Sequence, residues 1–194
     1  MLRCVIFDLD NTLIDSPLDF AKIKAEIGTE EPILEYRETV DDAEKRRIDE
    51  ILDRHESLAA KGSAMLDGAH ELLGVLRERS VLTALLTRNS RKSVDTIIGR
   101  HALRFNAVLS REDAPPKPSP EPVFVICRDL GVEPAECLMV GDFLFDIQSG
   151  QAAGARTLLM DGPHRHRFEV DADFEAASLH DAQASILSLL DKDR

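Results

Sequence analysis

The chain has 194 residues, of which 43% are hydrophobic and 31% charged, as in ordinary folded proteins that bury one main core. Its formal net charge of -12 argues against non-specific binding to nucleic acid or to an anionic membrane, because both attract basic surfaces. No apolar run approaches the ~18 residues of a membrane span and no signal-peptide pattern is present, so we expect a cytoplasmic protein whose three cysteines are reduced.

Five short apolar runs predict β-strands, at 2–7, 81–86, 106–109, 137–140 and 156–159. Most of these runs are continuous rather than alternating, which is typical of parallel strands covered on both faces. Helical patterns lie between them: an apolar stripe begins at Ala69, and a second helix starts at Ser119-Pro120 and ends at Gly131. The alternation of strand and helix predicts an α/β fold with a doubly wound, parallel, five-stranded sheet.

The segment after the first strand is helical and strongly charged. Phe20, Ile23 and Ile27 share one face of a predicted helix, and a longer helix follows. Acid-before-base pairs four residues apart favour that longer helix, at Asp41/Lys45, Asp42/Arg46 and Glu50/Arg54. We predict a small helical insertion at 15–66, within a core that comprises 1–14 and 67–194.

Polar residues follow four of the predicted strands, at the point where each strand ends. They are Asp8, Asp10, Thr87, Arg88, Asn89, Lys117, Asp142 and Asp146. In open α/β sheets the ligand site forms beyond the carboxyl ends of the strands, so we expect these residues to converge on one crevice. Several carboxylates with hydroxyls and one lysine suit a hard divalent cation such as Mg2+ together with a phosphate.

Asp8 and Asp10 point to the same face of an extended segment. Two like charges about 4 Å apart repel by roughly 4 kcal/mol at an effective dielectric of about 20, and a bound cation would relieve this repulsion. A carboxylate with a reference pKa of about 4 is ionised at neutral pH, so Asp8 is able to attack phosphorus and form an aspartyl phosphate. Asp10 is then placed to protonate the leaving oxygen and to take a proton from water.

Four segments read FDLDNTL, LLTRN, PPKPSPEP and VGDFLFDI in chain order. In order and spacing they resemble the four signature motifs of the haloacid dehalogenase (HAD) superfamily, in its phosphatase branch. The resemblance extends through AGARTLLM and covers nearly the whole chain apart from the inserted helices. It implies a HAD-like core with a helical cap and a hydrolase that acts on phosphoric monoesters with Mg2+ as cofactor. Within the superfamily, GAHELLGVLRE and GDFLFDIQSGQAAGA look most like the phosphoglycolate phosphatase group.

The resemblance also implies roles for the matching carboxylates. Asp8 is expected to be the nucleophile and a magnesium ligand. Asp10 is expected to be the general acid and base, with its backbone carbonyl on the metal and its side chain oriented by the Thr12 hydroxyl. Asp142 is expected to be the third metal ligand, and Asp146 to contact Lys117 or a water on the metal.

The remaining matching residues are expected to hold the phosphate. Thr87 and the backbone amides of Arg88 and Asn89 would bind its oxygens, and Lys117 would neutralise the phosphoryl group together with the nucleophile. Two positions depart from the pattern of many relatives. Phe143 stands in place of a small hydroxyl residue, and Arg88 in place of Asn or a small residue. Arg88 either adds a cation at the phosphate or contacts a second anionic group.

Two alternatives stay open at the level of sequence. A phosphotransferase of the β-phosphoglucomutase type shares the entire core, and a non-catalytic binding domain of the same fold lies outside the enzymes. The dehalogenase reaction is disfavoured because a halide leaves without protonation and needs no acid at Asp10. His164 and His166 are predicted to lie in an exposed basic loop. We expect a small phosphorylated metabolite as substrate and no nucleic-acid or membrane partner, and the sequence leaves the oligomeric state open.

Overall fold

The computed structural model of the protein describes residues 1–160 and 170–192. His164 and His166, which the sequence places in a basic loop, lie outside these described residues. Within them, eight strands are present: β1 (Cys4–Phe7), β2 (Ile14–Asp15), β3 (Ala64–Met65), β4 (Leu82–Leu86), β5 (Ala107–Leu109), β6 (Cys137–Gly141), β7 (Arg156–Met160) and β8 (Phe174–Ala176).

Helices fill the intervals between these strands. In chain order they are α1 (Phe20–Ile27), α2 (Ile33–Thr39), α3 (Asp42–Gly62), α4 (Ala69–Glu78), α5 (Arg91–His101), α6 (Glu121–Leu130), α7 (Leu144–Ala153) and α8 (Leu179–Lys192). Gly131 ends α6 in the left-handed conformation (φ 65°), as the Gly signal predicts. None of the helices in the described ranges is both long and apolar enough to cross a membrane.

The main sheet is parallel and has the strand order β5-β4-β1-β6-β7-β8. All five predicted strands are present, but the sheet has six strands rather than five. The sequence prediction missed β8 because it spans three residues, of which only Ala176 is buried. It also missed β2 and β3, which pair with each other over two residues each and carry no apolar run.

Both faces of the main sheet are covered, as expected for continuous apolar strands. Successive side chains of β1 point to opposite faces. Val5 and Phe7 lie in the core that includes α4, α5 and α8, whereas Cys4 and Ile6 lie in the core that includes α6. Full burial of one such large apolar side chain stabilises the fold by about 2 kcal/mol. The central strand is therefore anchored on both sides, which fixes the position of the residues that follow it.

The inserted helices α1, α2 and α3 have a small core of their own, formed by Ile23, Ile27, Ile33, Ile48, Ile51 and Leu52. The long helix that the acid-before-base pairs favour is present as α3, but Lys45 and Arg54 have other partners. Lys45 pairs with Glu38 at 3.6 Å and Arg54 pairs with Glu26, so neither contacts the acid four residues before it. Asp41 is not available to Lys45 because its carboxylate caps α3 by accepting from the backbone N–H groups at the start of the helix.

The short antiparallel pair of β2 and β3 joins the two ends of the inserted segment. Ile14 pairs with Met65 and Asp15 with Ala64, so the chain leaves and re-enters the core at one place. This pair lies directly beyond the turn that carries Asp10, which bridges to Ile14. The inserted helices are thus attached next to the carboxyl edge of the main sheet. The division into a core and a cap at 14/15 and 66/67 stays a prediction.

Candidate active site

The polar residues that follow the strands converge at the carboxyl edge of the main sheet. β1 lies between β4 and β6 and is parallel to both, so the three strand ends are neighbours. Asp8 directly follows β1, Thr87 follows β4 and Asp142 follows β6. Each apolar run ends at a polar residue, and that residue therefore lies at the carboxyl edge of the sheet.

Lys117 is the centre of a buried ion-pair cluster. Its Nζ atom lies 2.5 Å from Asp8 Oδ1 and 2.5 Å from Asp146 Oδ1, and it donates to the Leu86 carbonyl at 2.9 Å. The side chain is only 2% exposed. Burial disfavours its positive charge, but the carboxylates of Asp146 and Asp8 outweigh burial and raise the Lys117 pKa. Lys117 therefore stays a cation between the two carboxylates.

Negative charge exceeds positive charge in this cluster. Carboxylate oxygens of Asp8, Asp142 and Asp146 lie within 4.8 Å of one another, and Lys117 is the ammonium group that contacts two of them. Burial raises the pKa of Asp8 well above its ordinary value, with Lys117 opposing the shift. Burial, reinforced by Asp146, raises the pKa of Asp142 to about 7. In the folded chain without a bound cation, the Asp8 pKa thus lies above the ordinary value that the sequence argument used.

This donor set fits a hard divalent cation. Mg2+ prefers carboxylate oxygens and accepts two or three protein ligands. A divalent charge would also favour the ionised forms of Asp8 and Asp142, which burial and mutual repulsion otherwise disfavour. Asp146 already uses Oδ1 for Lys117 and accepts at Oδ2 from the Phe143 backbone N–H at 3.0 Å.

Asp10 is held by Asn89 rather than by Thr12. Its Oδ2 accepts from Asn89 Nδ2 at 2.7 Å, while its buried Oδ1 has no hydrogen-bond partner among the described residues. Thr12 is fully buried in the same turn, but its hydroxyl forms no hydrogen bond within the described part of the chain. Burial raises the Asp10 pKa, and hydrogen bonds from Ser16 and Asn89 oppose the shift. Asn89, which follows β4, therefore makes the contact with Asp10 that was expected from Thr12.

The loop after β4 is ordered by its own hydrogen bonds. Thr87 Oγ1 accepts from the Asn89 backbone N–H at 3.2 Å, and both side chains are buried. Ser90 then caps α5 by accepting from the Ser93 backbone N–H. The Arg88 guanidinium leaves this loop in another direction, toward Glu35 on α2. The structure thus places Thr87 and Asn89 beside the carboxylates and turns the Arg88 side chain toward the inserted helices.

Gly141 allows Asp146 to reach the cluster. A Cβ atom built on Gly141 would lie 2.2 Å from Asp146 Cγ, far closer than any side-chain contact tolerates. Asp146 lies in the first turn of α7, and its carboxylate also accepts from the backbone N–H of Phe143. Phe143 packs edge-on against Phe145 with ring centroids 5.0 Å apart. A residue larger than glycine at the end of β6 would displace Asp146 from Lys117.

Sequence reasoning missed a second buried ion pair, between Glu56 on α3 and Arg111 after β5. Arg111 Nη1 donates to Glu56 Oε1, and the Ser90 backbone N–H donates to Glu56 Oε2 at 3.1 Å. The Glu56 side chain is 4% exposed and the Arg111 side chain is 10% exposed. Burial raises the Glu56 pKa, and Arg111 opposes the shift. The sequence contained one signal: Glu56 follows Leu52 by four residues and so lies on the apolar stripe of α3.

The parallel sheet carries a lysine–carboxylate cluster at its carboxyl edge, and this set of groups suits phosphoryl-transfer chemistry. The family model of haloacid dehalogenase-like hydrolases matches residues 2–154. The chain therefore belongs to the haloacid dehalogenase-like hydrolase family, as the four sequence motifs indicate.

Three similar proteins agree with this family assignment. The N-acetylmuramic acid 6-phosphate phosphatase of Pseudomonas aeruginosa is 27% identical over 216 residues, which cover 98% of this chain and 96% of that protein. A phosphoglycolate phosphatase of Chromobacterium violaceum is 25% identical over 207 residues, covering 92% and 93%. The crystal structure of a HAD-superfamily hydrolase from Ehrlichia chaffeensis has a TM-score of 0.70 at 25% identity, over 98% of this chain and 99% of that one. The chain is a hydrolase of this family that acts on phosphate esters.

Proposed function

We propose that the protein is a magnesium-dependent phosphatase that hydrolyses a small phosphomonoester through an aspartyl-phosphate intermediate. The observation that carries this proposal is the contact of Lys117 with both Asp8 and Asp146, in a cluster where carboxylates outnumber cations. A phosphoryl group that enters this cluster meets a carboxylate nucleophile and a fixed cation at once. Catalysis of phosphoryl transfer depends on such positioning and charge stabilisation.

Asp8 acts as the nucleophile in the first step. One of its carboxylate oxygens forms a bond to phosphorus while the bond from phosphorus to the ester oxygen breaks. Lys117, at 2.5 Å from Asp8 Oδ1, stabilises the negative charge that is shared between the carboxylate and the phosphoryl group. The products of this step are the aspartyl phosphate on Asp8 and the leaving oxygen, which needs a proton.

Asp10 moves that proton. Its Oδ1 is buried and without a partner in the described residues, while Asn89 holds Oδ2 and fixes the orientation of the side chain. The raised pKa of Asp10 favours a carboxyl group that can donate a proton to the leaving oxygen. Asp10 then accepts a proton from the water that attacks phosphorus, which releases inorganic phosphate and restores Asp8.

The other predicted site residues bind and neutralise the phosphate. Thr87 and the backbone amides of Arg88 and Asn89 hold its oxygens, opposite Lys117. We assign Mg2+ to Asp8, Asp142 and the Asp10 carbonyl, because both Asp146 oxygens already accept from other groups. When bound, the metal supplies positive charge that favours ionised carboxylates and screens them from the incoming phosphate.

We infer that the substrate is a small phosphorylated metabolite, of which phosphoglycolate is one example. Support comes from the two relatives named as phosphatases of phosphoglycolate and of N-acetylmuramic acid 6-phosphate. Both compounds carry a carboxylate in addition to the phosphate ester. A cytoplasmic location agrees with this class of substrate and stays a prediction.

The test is release of phosphate from p-nitrophenyl phosphate by the wild type, by Asp8→Asn and by the control Asp129→Asn. Each is assayed with Mg2+ and with excess chelator. Asp129 is half-exposed on α6 and pairs with its neighbour Arg128, so its replacement makes the same chemical change outside the site. We expect Asp8→Asn to lose at least about 10³-fold in rate, because the nucleophile is gone.

The same assay separates the parts of the proposal. Loss of rate in the chelated wild type and recovery with Mg2+ supports the metal requirement. An Asp8→Asn variant as active as Asp129→Asn would overturn the nucleophile assignment. A wild type that releases no phosphate from p-nitrophenyl phosphate or from the small phosphoesters described below would overturn the phosphatase proposal as a whole.

A further inference from the structure

The Arg88 guanidinium points away from the loop that contains its backbone. Its backbone lies between Thr87 and Asn89, but its guanidinium forms two parallel hydrogen bonds with the Glu35 carboxylate of α2, at 2.9 Å and 2.7 Å. Glu35 comes from the inserted helices and is 38% exposed, and Arg88 is 23% exposed. This pair therefore spans the opening between the inserted helices and the carboxyl edge of the sheet.

Groups of the active site hold the guanidinium in this position. Arg88 donates to the backbone carbonyl of Lys117, the residue whose ammonium contacts Asp8. It also lies over the ring of Phe145, 4.8 Å from the ring centre, in the segment between Asp142 and Asp146. A cation over an aromatic face is attracted to it. These two contacts do not involve Glu35, so they keep the guanidinium in place when Glu35 moves away.

The main partner of Arg88 is more exposed than the closest partners of Lys117 and Arg111. Lys117 contacts the buried Asp8 and Asp146, and Arg111 contacts the buried Glu56 most closely and the half-exposed Asp53 at 3.4 Å. Arg37, on the same helix as Glu35, is paired through two hydrogen bonds with Asp49 inside the inserted helices. Arg88 is paired with a partly exposed acid, and such pairs contribute little to stability. An incoming anion can replace Glu35 at small cost.

We propose that Arg88 binds a second anionic group of the substrate, a carboxylate or a second phosphate, which replaces Glu35 on the guanidinium. The planar guanidinium binds either anion through two hydrogen bonds, in the geometry that Glu35 already shows. The chain as a whole is strongly acidic, so an anionic substrate needs such a local cation. This assignment rests on the proposed phosphatase function and names the substrate class of that site.

A structural latch is the competing role for the pair of Arg88 and Glu35. A latch would hold the inserted helices over the site for every substrate alike. The two roles predict opposite results for Glu35→Gln. If a substrate anion replaces Glu35 on Arg88, the Glu35→Gln variant binds substrates with a second anionic group more tightly, because residue 35 no longer competes with a negative charge. A latch predicts weaker activity with all substrates.

The experiment compares three esters of the same two-carbon length. Phosphoglycolate carries a carboxylate, the bisphosphate ester of ethylene glycol carries a second phosphate, and 2-hydroxyethyl phosphate carries a neutral hydroxyl. The readout is the ratio of kcat/KM for each anionic ester to kcat/KM for the neutral one. It is measured with Mg2+ for the wild type, Arg88→Gln, Glu35→Gln and the control Glu38→Gln. Glu38 lies on the same helix and pairs with Arg37 and Lys45 instead of Arg88.

We expect the wild type to prefer at least one anionic ester, and Arg88→Gln to lower that preference about tenfold, the effect of ~1.4 kcal/mol. Glu35→Gln raises the preference by lowering KM for the anionic ester, and Glu38→Gln leaves the ratio as in the wild type. The ester that responds identifies the second anion as a carboxylate or a phosphate. Higher salt reduces the preference, because the second anion binds near the surface.

Two results would overturn the assignment while the phosphatase proposal stands. The first is an Arg88→Gln variant that loses the same factor with all three esters. The second is a Glu35→Gln variant whose activity falls with the neutral and the anionic esters alike, as a latch requires. Hydrolysis of none of these esters, nor of p-nitrophenyl phosphate, by the wild type overturns the phosphatase proposal and this assignment with it.

Discussion

Two buried ion-pair clusters in this protein differ in their balance of charge. The catalytic cluster places Lys117 against Asp8 and Asp146, with Asp142 close by. The second cluster, which we call the cap clamp, consists of Glu56 and Arg111, and Glu56 also accepts from the Ser90 backbone N–H. The buried part of the cap clamp pairs one acid with one base, and the other acids near Arg111, Asp53 and Glu112, are half-exposed. The catalytic cluster holds more carboxylates than its lysine can balance.

This difference indicates which cluster binds a ligand. A buried pair that is balanced and hydrogen-bonded is complete, and its role is to join two elements, here α3 and the segment after β5. A cluster with unbalanced carboxylates has pKa values shifted upward, as for Asp8 and Asp142, and gains from an added cation. Both clusters are buried, so burial alone does not distinguish the catalytic cluster from the cap clamp. The first three predictions below test this comparison, from the largest expected effect to the smallest, and a fourth concerns a group outside both clusters.

Lys117→Met removes the cation from the catalytic cluster. We expect a loss of activity of about 10³-fold and a loss of about 4 kcal/mol in the free energy of unfolding, because buried carboxylates are left without a partner. Added Mg2+ is expected to restore part of the stability but not the activity. Urea unfolding with and without Mg2+ measures the change in stability, and phosphate release measures the change in activity.

The control is Lys92→Met, at an exposed position on α5. It removes the same charge from the surface and is expected to change stability by less than about 0.5 kcal/mol. Equal stability of the two variants would show that Lys117 does not balance the cluster.

Glu56→Ala breaks the cap clamp and leaves Arg111 buried without its main partner. We expect the free energy of unfolding to fall by about 3 kcal/mol. The double variant Glu56→Met with Arg111→Met removes both charges and is expected to recover most of this loss, because no charge is then left unpaired. Urea unfolding of the single and double variants measures the coupling. A double variant that is less stable than Glu56→Ala would contradict the view of the clamp as a balanced pair.

Gly141→Ala disturbs the catalytic cluster without changing any charge. The added Cβ meets the Asp146 carboxyl group, so Asp146 must move from Lys117. A displacement of about 1 Å at a catalytic group costs about 10²-fold in rate, and overpacking costs about 2 kcal/mol of stability. Measurement of kcat and of the melting temperature checks both effects.

Gly99→Ala is the matched control for this glycine. Gly99 lies within α5, and its added Cβ meets no atom within 4 Å. We expect Gly99→Ala to keep full activity and to gain about 0.5–1 kcal/mol from better helix propensity. If both alanine variants behave alike, the close approach at Gly141 has no consequence for the site.

His101 gives the smallest effect and lies outside both clusters. Its Nε2 is 2.9 Å from the Ser63 hydroxyl, and burial lowers the His101 pKa from 6.5, with Arg100 and His70 adding to the shift. Between the lowered pKa and about 6.5, the unfolded chain binds a proton that the folded chain does not. The contribution of His101 to stability therefore rises with pH through this window.

The measurement is the urea midpoint of wild type, His101→Gln and the half-exposed control His180→Gln between pH 5 and 7.5. His101→Gln is expected to lose the part of stability that rises with pH in this window, while His180→Gln follows the wild type. A His101→Gln profile identical to that of the wild type would show that another group is responsible for the slope.

The sequence by itself determined the parallel sheet and the set of residues at its edge. Continuous apolar runs form strands wherever they fold, and the polar residues that end them, such as Asp8, Thr87 and Asp142, reach the same edge because the strands are parallel. The short β8, with one buried residue, carries too little of this pattern to be found. The family motifs added the expected chemistry, and the match of the family model confirms the family.

Only the tertiary structure decided which side chains meet. Asn89 contacts Asp10 from 79 residues away, Arg111 contacts Glu56 from 55 and Arg88 contacts Glu35 from 53. Each of these contacts depends on how the inserted helices or the loop after β4 sit beside the sheet. A local pattern records helix and strand periodicity, but not which charged groups become neighbours when separate elements pack. For this reason the edge of the site was predictable, whereas the partners of Asp10, Arg88 and Glu56 were not.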